Sequence, residues 1–375
     1  MARGGEGEWL RKAKGMRVST NVGRRRGRVN QDPVRGGRAG KRATNSARGG
    51  RGGKRGTDSA PRDEGGRNPK RAKKVADEIG SSGPPPRNRE SPSRLFILNS
   101  GLDDTQKDAI GDISFGGVLD IGTRTMKGDL LKFVTKCYDP ERSQLIIPDR
   151  GKIPVDVASV ERIWGLPRGA GKVAYEVVEP DLVMLYNEMF DIPTGPAPSV
   201  TEWCKMINDM GAVADDKFLS AWLVVVYSCF LAPTTSLKVS PRAYSAALNP
   251  REVVNSNVCQ FVVDQLRLAF MGLGDKKNTI CCCLFHLVLL YLDSLDVDFR
   301  TVHKDYVDER TTTVLPRVKA WNEGLIKAVI KKDKIRKGVY GKLRLKAEFS
   351  RCAEDSVFGS MDHIQKFVAA RLPQN

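Results

Sequence analysis

The chain has 375 residues, 40% of them hydrophobic, and a formal net charge of +18. That charge is unevenly shared: residues 1–94 hold 26 Lys plus Arg against 9 Asp plus Glu, whereas residues 95–375 hold 36 against 35. The partition excludes a uniformly basic protein and confines the expected polyanion partner to the first quarter.

That quarter also carries 18 of the 36 glycines and a single aromatic, Trp9. Such a composition cannot bury enough apolar surface to offset chain entropy, so residues 1–94 are expected to be a disordered Arg/Gly-rich arm. Residues 95–375 are apolar enough for a sizeable core. The eight cysteines follow no disulfide framework spacing and mostly sit in apolar stretches, which points to a reducing intracellular compartment. The N-terminus is charged and glycine-rich, with no apolar segment of the signal-peptide kind.

Within the arm, RRRGR, RGGRAGKR and RGGRGGKRG space arginines with glycine. Mobile guanidinium forks suit a phosphate backbone, so Arg24, Arg25, Arg26, Arg28, Arg35, Arg38, Arg48 and Arg51 are the expected nucleic-acid contacts. The competing reading is a solvated low-complexity arm, since no Phe or Tyr is interleaved for stacking. Residues 69–74, PKRAKK, form a basic cluster of the nuclear-import type, with Lys70, Arg71, Lys73 and Lys74 as the receptor contacts. Residues 81–93, with PPP at their centre, read as a stiff linker.

The folded part is expected from Leu95. A short polar helix over 103–110 precedes a turn at Gly116-Gly117, and the apolar spacing over 127–138 predicts a helix ended by Asp139-Pro140. Residues 144–148 and 152–155 read as a hairpin with Gly151 in its turn. Asp156 is the expected N-cap of a helix stopped by Gly165. GLPRGAGK, residues 165–172, misses the phosphate-loop pattern in spacing, in the residue after the lysine and in following a helix, so it is expected to be a turn.

Amphipathic helices are expected over 181–190 and 200–210, and then comes the most apolar stretch, FLSAWLVVVYSCFLA at 218–232. Only Ser220 and Ser228 interrupt it; Asp215 and Asp216 can cap it and Pro233 ends it. At 15 residues it is too short to span a bilayer, and no membrane is expected as a partner. After a loop over 234–250, a helix is expected over 251–270. A second helix apolar nearly all round is expected over 278–292, the natural partner of the first. A helix over 315–332 with a lysine-rich end, a short KLRL strand and a final amphipathic helix over 361–372 complete the chain.

Cys281, Cys282, Cys283 and His286 raise the question of a metal or thiol site, because helical spacing would put Cys282 and His286 on one face. Mid-helix in an apolar run, they read instead as small core residues and a core histidine bonded to a neighbouring carbonyl. Asp293 with Asp296, and Asp215 with Asp216, read as caps or solvated helix ends. Neither a catalytic set nor a cofactor site is expected.

Residues 103–303 carry FGGVLDI, LIIPDRGKIPV followed by DVASVERIWGLPRG, KFLSAWLVVVYSCFLAPTTS and CCCLFHLVLLYLDSLD in that order. In order and spacing this set resembles the plant mobile domain family, also called the aminotransferase-like plant mobile domain, found in transposon-derived and gene-silencing proteins. The resemblance implies a largely helical domain, nuclear location, a link to mobile elements or silencing, and no agreed catalytic residues. The expectation is thus a mainly α, multi-helix domain with a minor β-hairpin behind a basic arm. It is read as a non-enzymatic nuclear interaction module with an unidentified protein partner. The alternatives are an RNA- or DNA-binding protein acting through its arm, and a degenerate fragment of a transposon-encoded protein.

Overall fold

A computed structural model describes residues 87–350 apart from 176, 177, 179, 194, 274–278 and 303–312. The arginines and lysines singled out in the arm, and the helix expected over 361–372, lie outside the described residues. The fold class is as the sequence predicts, mainly α with small sheets.

β1 (Arg87–Asn88) pairs in parallel with β5 (Thr279–Ile280), Arg87 opposite Thr279 and Asn88 opposite Ile280. The described fold therefore begins ahead of Leu95, inside the segment that composition assigns to the linker. α1 (Pro92–Ser100) opens on a proline, whose fixed φ suits a first helical turn. α2 (Asp104–Asp112) starts on a reciprocal capping box between Asp103 and Gln106. The turn expected at Gly116-Gly117 is instead a short helix, α3 (Gly116–Leu119). α4 (Gly128–Cys137) buries Leu130, Val134 and Cys137, the stripe its spacing requires.

The hairpin is present. β3 (Gln144–Ile147) runs antiparallel to β4 (Gly151–Pro154) with Leu145 opposite Ile153, and β2 (Tyr138–Asp139) adds a third strand. Gly151 has φ +151°, and a Cβ there would meet the Phe349 carbonyl oxygen at 1.8 Å, so close backbone passage as well as the turn demands glycine. α5 (Val157–Trp164) has both expected ends: Asp156 and Ser159 close a capping box, and Gly165 stops the helix at φ 63°.

α6 (Pro180–Met189) and α7 (Val200–Asp209) lead into α8 (Asp216–Val226), whose first turn Asp215 caps by accepting from the Phe218 amide at 2.9 Å. All of residues 218–232 are buried, so this run is the axis of the core. Its last third departs from the expected α-helix, because Tyr227–Leu231 wind into a π turn. Both interrupting serines have partners: Ser220 Oγ lies 2.7 Å from the Tyr186 hydroxyl, and Ser228 Oγ accepts from the Ser240 amide at 2.9 Å.

The loop expected over 234–250 contains a helix, α9 (Arg242–Ala247), held by Tyr244 stacking on Tyr186 at 4.1 Å. The helix expected over 251–270 is divided into a 3-10 turn (Pro250–Asn255) and α10 (Val258–Met271), capped by Asn257. The second apolar helix, α11 (Leu284–Asp293), starts later than its hydropathy suggests. α12 (Phe299–Val302) is one turn. The helix expected over 315–332 begins only at α13 (Glu323–Asp333), where Asn322 accepts from the Leu325 amide; a 3-10 turn (Arg317–Ala320) precedes it. The KLRL strand is likewise corrected: the strands are β6 (Lys334–Arg336) and β7 (Val339–Tyr340), and Leu345 makes only an isolated bridge to Leu295.

α8 packs against α7, α9 and the turn over 250–255, whereas α11 packs against α4, α5 and α13. The two apolar helices thus have separate coats, contrary to the expectation that they pair. Trp164 of α5 joins them, its ring 5.1 Å from Phe230 and 5.7 Å from Phe285. Among the described residues no helix is long and apolar enough to cross a membrane.

Candidate functional site

The loop after α5 is fastened to the N-terminal end of α10 mainly by backbone, with the Cys259 thiol also donating to the Leu166 carbonyl at 3.2 Å. Gly169 N donates to Ser256 O at 3.1 Å, Gly171 N to Asn255 O at 2.8 Å, and Asn257 N returns a bond to Gly171 O at 2.6 Å. A Cβ on Gly169 would fall 2.1 Å from the Asn255 carbonyl carbon. Of the glycines in GLPRGAGK, Gly169 and Gly171 are there for this close passage and Gly165 for the helix stop, which is why the motif resembles a phosphate loop without the rest of its pattern.

Between this loop and α10 lies a cleft of about 570 Å3. Val173, Tyr175 and Phe261 form its apolar part, Lys172, Asp264 and Arg267 its charged part, and Leu268 and Met271 stand on its rim. Those last two are 63% and 57% exposed, one turn apart on a single helix face. Gln260 donates to Asp264 Oδ1 at 2.8 Å and fixes that carboxylate within the cleft. Exposed apolar residues beside a concavity of mixed charge suit a peptide segment with an apolar anchor. The helical periodicity over 251–270 runs through Val254, Val258, Phe261, Val262, Leu266 and Phe270; Leu268 lies off that stripe, which is the signal that could have found it.

The cysteine cluster does not assemble a reactive site. Cys281 and Cys282 precede α11 and Cys283 is its N-cap position, so the helical spacing to His286 does not apply. The cause is non-local: β5 must stay extended to pair with β1, and Glu90, just after β1, accepts from the Phe285 amide at 2.9 Å and caps the helix. Burial pushes the Cys282 and Cys283 thiols well up, and a neutral thiol is a poor nucleophile or ligand. Among the described residues no group of three or more His, Cys, Asp or Glu could hold a metal.

His286 is fully buried, and burial lowers its pKa to about 3, so it is neutral. The expected carbonyl partner is corrected to a hydroxyl: Nε2 lies 3.4 Å from Ser159 Oγ. That hydroxyl already donates to Asp156 O at 2.7 Å and accepts from Asp156 N at 3.0 Å, as the capping box requires. With its proton committed to the backbone, Ser159 is a cap and not a nucleophile awaiting a base.

Asp293 is also corrected. It is 3% exposed rather than solvated, accepts from Arg317 Nε at 2.8 Å and Trp321 Nε1 at 3.2 Å, and has Arg162 at 3.9 Å. A second arginine and an indole make this a satisfied internal ion pair that ties α11 to the turn before α13. Asp215 caps α8 as predicted, while Asp216 pairs with Arg251 at 2.6 Å. Glu90 escaped sequence reading altogether. Burial pushes its carboxyl up to about 8, against the opposing pull of the Phe285 amide, the Cys283 side chain and the Leu284 amide.

Among the described residues, Ser159, Glu90 and Asp293 are engaged in caps and an internal ion pair, and a rimmed cleft lies exposed beside α10 of this helical module. Residues 88–288, just over half the chain and including every residue lining the cleft, match the family described as Domain of unknown function (DUF8566), and the chain belongs to that family. No curated protein and no solved structure matches it.

Proposed function

We propose that this protein is a non-enzymatic nuclear interaction module of transposon origin, acting in gene silencing or genome maintenance. A protein partner docks in the cleft beside α10, and the basic arm holds nucleic acid. The observation that carries this reading is the charge partition, +17 in residues 1–94 and +1 in residues 95–375. A polyelectrolyte arm beside a nearly neutral helical domain separates polyanion contact from partner recognition. The exposed pair Leu268 and Met271 supports the second half of the proposal, because the two stand one turn apart on the rim of the cleft, where one apolar anchor of a partner would cover both. Mobile-element origin rests on the ordered motifs that resemble the plant mobile domain family.

Nuclear residence is tested by imaging the tagged full chain in eukaryotic cells. Replacing Lys70, Arg71, Lys73 and Lys74 together by Ala is expected to disperse the signal from the nucleus into the cytoplasm. An unchanged nuclear signal would remove these four residues from import, and a wild-type chain spread through both compartments would remove the nuclear assignment itself.

A further inference from the structure

The overall charge of +1 for residues 95–375 hides a local imbalance. Residues 331–346, KKDKIRKGVYGKLRLK, contain eight Lys or Arg and one carboxylate, Asp333. That carboxylate is fully buried: it accepts from the Tyr291 hydroxyl at 2.5 Å and from the Leu343 amide at 3.0 Å. The Asp333 carbonyl receives the Gly341 and Lys342 amides at 2.9 and 3.1 Å. Arg150 reaches up from the β3–β4 turn to the Tyr291 hydroxyl at 3.0 Å and to the Leu343 carbonyl, so the base of the β6–β7 hairpin is bolted to the core. All negative charge in the segment is turned inward and the basic side chains are left outside.

Lys331, Arg336, Lys337, Lys342 and Arg344 are exposed and Lys334 is half-buried. Among the described residues none of these six has a carboxylate partner. Lys331 and Lys334 also line, with Lys127 and Lys327, a concavity of about 570 Å3 between the hairpin and the start of α4. Lys327 is paired to Glu323, and Asp129 lines the same concavity, while Asp296 bounds the face where its amide meets the Arg344 carbonyl.

We propose that this hairpin, with the adjoining end of α13, is a second nucleic-acid contact that grips the phosphate backbone of a duplex. The charge of a duplex backbone is what six unpaired cations on a rigid base complement. A two-stranded ribbon is narrow enough to enter a major groove. A folded single-strand site adds exposed aromatic platforms to its charge, and the one aromatic of this segment, Tyr340, is buried with its ring 5.4 Å from Phe133. An anionic membrane calls for a broad apolar face, and the hairpin offers one exposed aliphatic residue, Ile335. The surface is independent of the arm, so its success or failure is separable from that of the proposed function.

The test uses the full chain and a 20-base-pair duplex of mixed sequence, with binding constants measured across a salt series. Replacing the six cations by Gln is expected to lower affinity at least tenfold at physiological salt and to reduce the salt slope by about one for each lost contact. A variant carrying Arg at all six positions keeps the wild-type slope, which separates lost charge from lost fold. Unchanged affinity and slope in the Gln variant would overturn the proposal, even where arm substitutions abolish binding. Hairpin-dependent binding that is tighter to a single strand of the same length, or that occurs on phosphatidylserine vesicles and not on the duplex, would also overturn it.

Discussion

Trp222→Ala is expected to destabilise the fold by about 4 to 5 kcal/mol, the upper end of what removal of a buried aromatic costs. Trp222 is wholly buried on α8, edge-on to Phe115 at 6.1 Å between ring centroids. Its indole N–H donates to Asn99 Oδ1 at 3.1 Å, while the Asn99 amide donates to the Val118 carbonyl at 2.9 Å. Truncation therefore opens a cavity between α8, α1 and α3 and strands the Asn99 oxygen, which adds the cost of a buried acceptor without a donor. Trp222→Phe keeps most of the volume and forfeits the hydrogen bond, so its loss is smaller. Denaturant midpoints of the two variants measure the difference. A loss below about 1 kcal/mol for the alanine variant would mean that α8 is not the axis of the core.

Stability is expected to be flat and maximal between about pH 4.5 and 6.5 and to fall on both sides. Two buried groups with opposite shifts produce this shape. The Glu90 carboxyl rises from 4.5 to about 8 on folding, so its contribution is complete below pH 4.5 and is lost as pH rises through 8. His286 falls from 6.5 to about 3, so its contribution is complete above pH 6.5 and is lost as pH falls through 3. In the overlap the folded state holds the Glu90 proton that the unfolded chain releases, the unfolded chain holds the His286 proton that the fold rejects, and the slopes cancel. Outside the plateau each limb spans about 1.5 pH units, from 4.5 down to 3 and from 6.5 up to 8, so at 1.36 kcal/mol per unit each is worth about 2 kcal/mol. Glu90→Gln should level the alkaline limb and His286→Leu the acid limb, each leaving the other in place. Chemical denaturation at pH 3.5, 5.5 and 8.5 reads both. An alkaline limb that survives Glu90→Gln would refute the assignment of that group.

The elements that sequence reading placed correctly are those whose cause is local. α5 is the clearest: Asp156, Ser159 and Gly165 settle both ends within the helix and its caps. α4, α7, α8 and the β3–β4 hairpin follow from spacing and neighbouring turn residues in the same way. The misplacements share a distant cause. α11 starts at Leu284 because Arg87–Asn88 arrive to pair with Thr279–Ile280 and Glu90 caps the helix, a partner 195 residues away in sequence. Asp293 is buried because Arg317 comes to meet it from 24 residues on. Periodicity carries no information about either meeting.

Candidate sites divide along the same line. That Cys282 and Cys283 are core residues was legible from their apolar surroundings, although Cys281 is half-buried; the serine facing His286 was not legible, since Ser159 is 127 residues distant. The basic hairpin was visible as a composition run but disappeared into a balanced total. Only the burial of Asp333 shows that its single negative charge faces inward. The cleft needed the fold, because its two walls are joined by backbone bonds between residues 169–171 and 255–257 that no pattern announces.

On the proposed function, polyanion contact is carried by surface cations outside the buried polar groups of the domain, and first of all by the arm. The direct measurement is the salt dependence of single-strand binding by the full chain, compared with a variant in which Arg24, Arg25, Arg26, Arg28, Arg35, Arg38, Arg48 and Arg51 are Ser. At about 0.7 per phosphate neutralised, the slope is expected to shrink by roughly six, with affinity at physiological salt falling by orders of magnitude. A variant that binds with the wild-type slope and affinity would contradict the account.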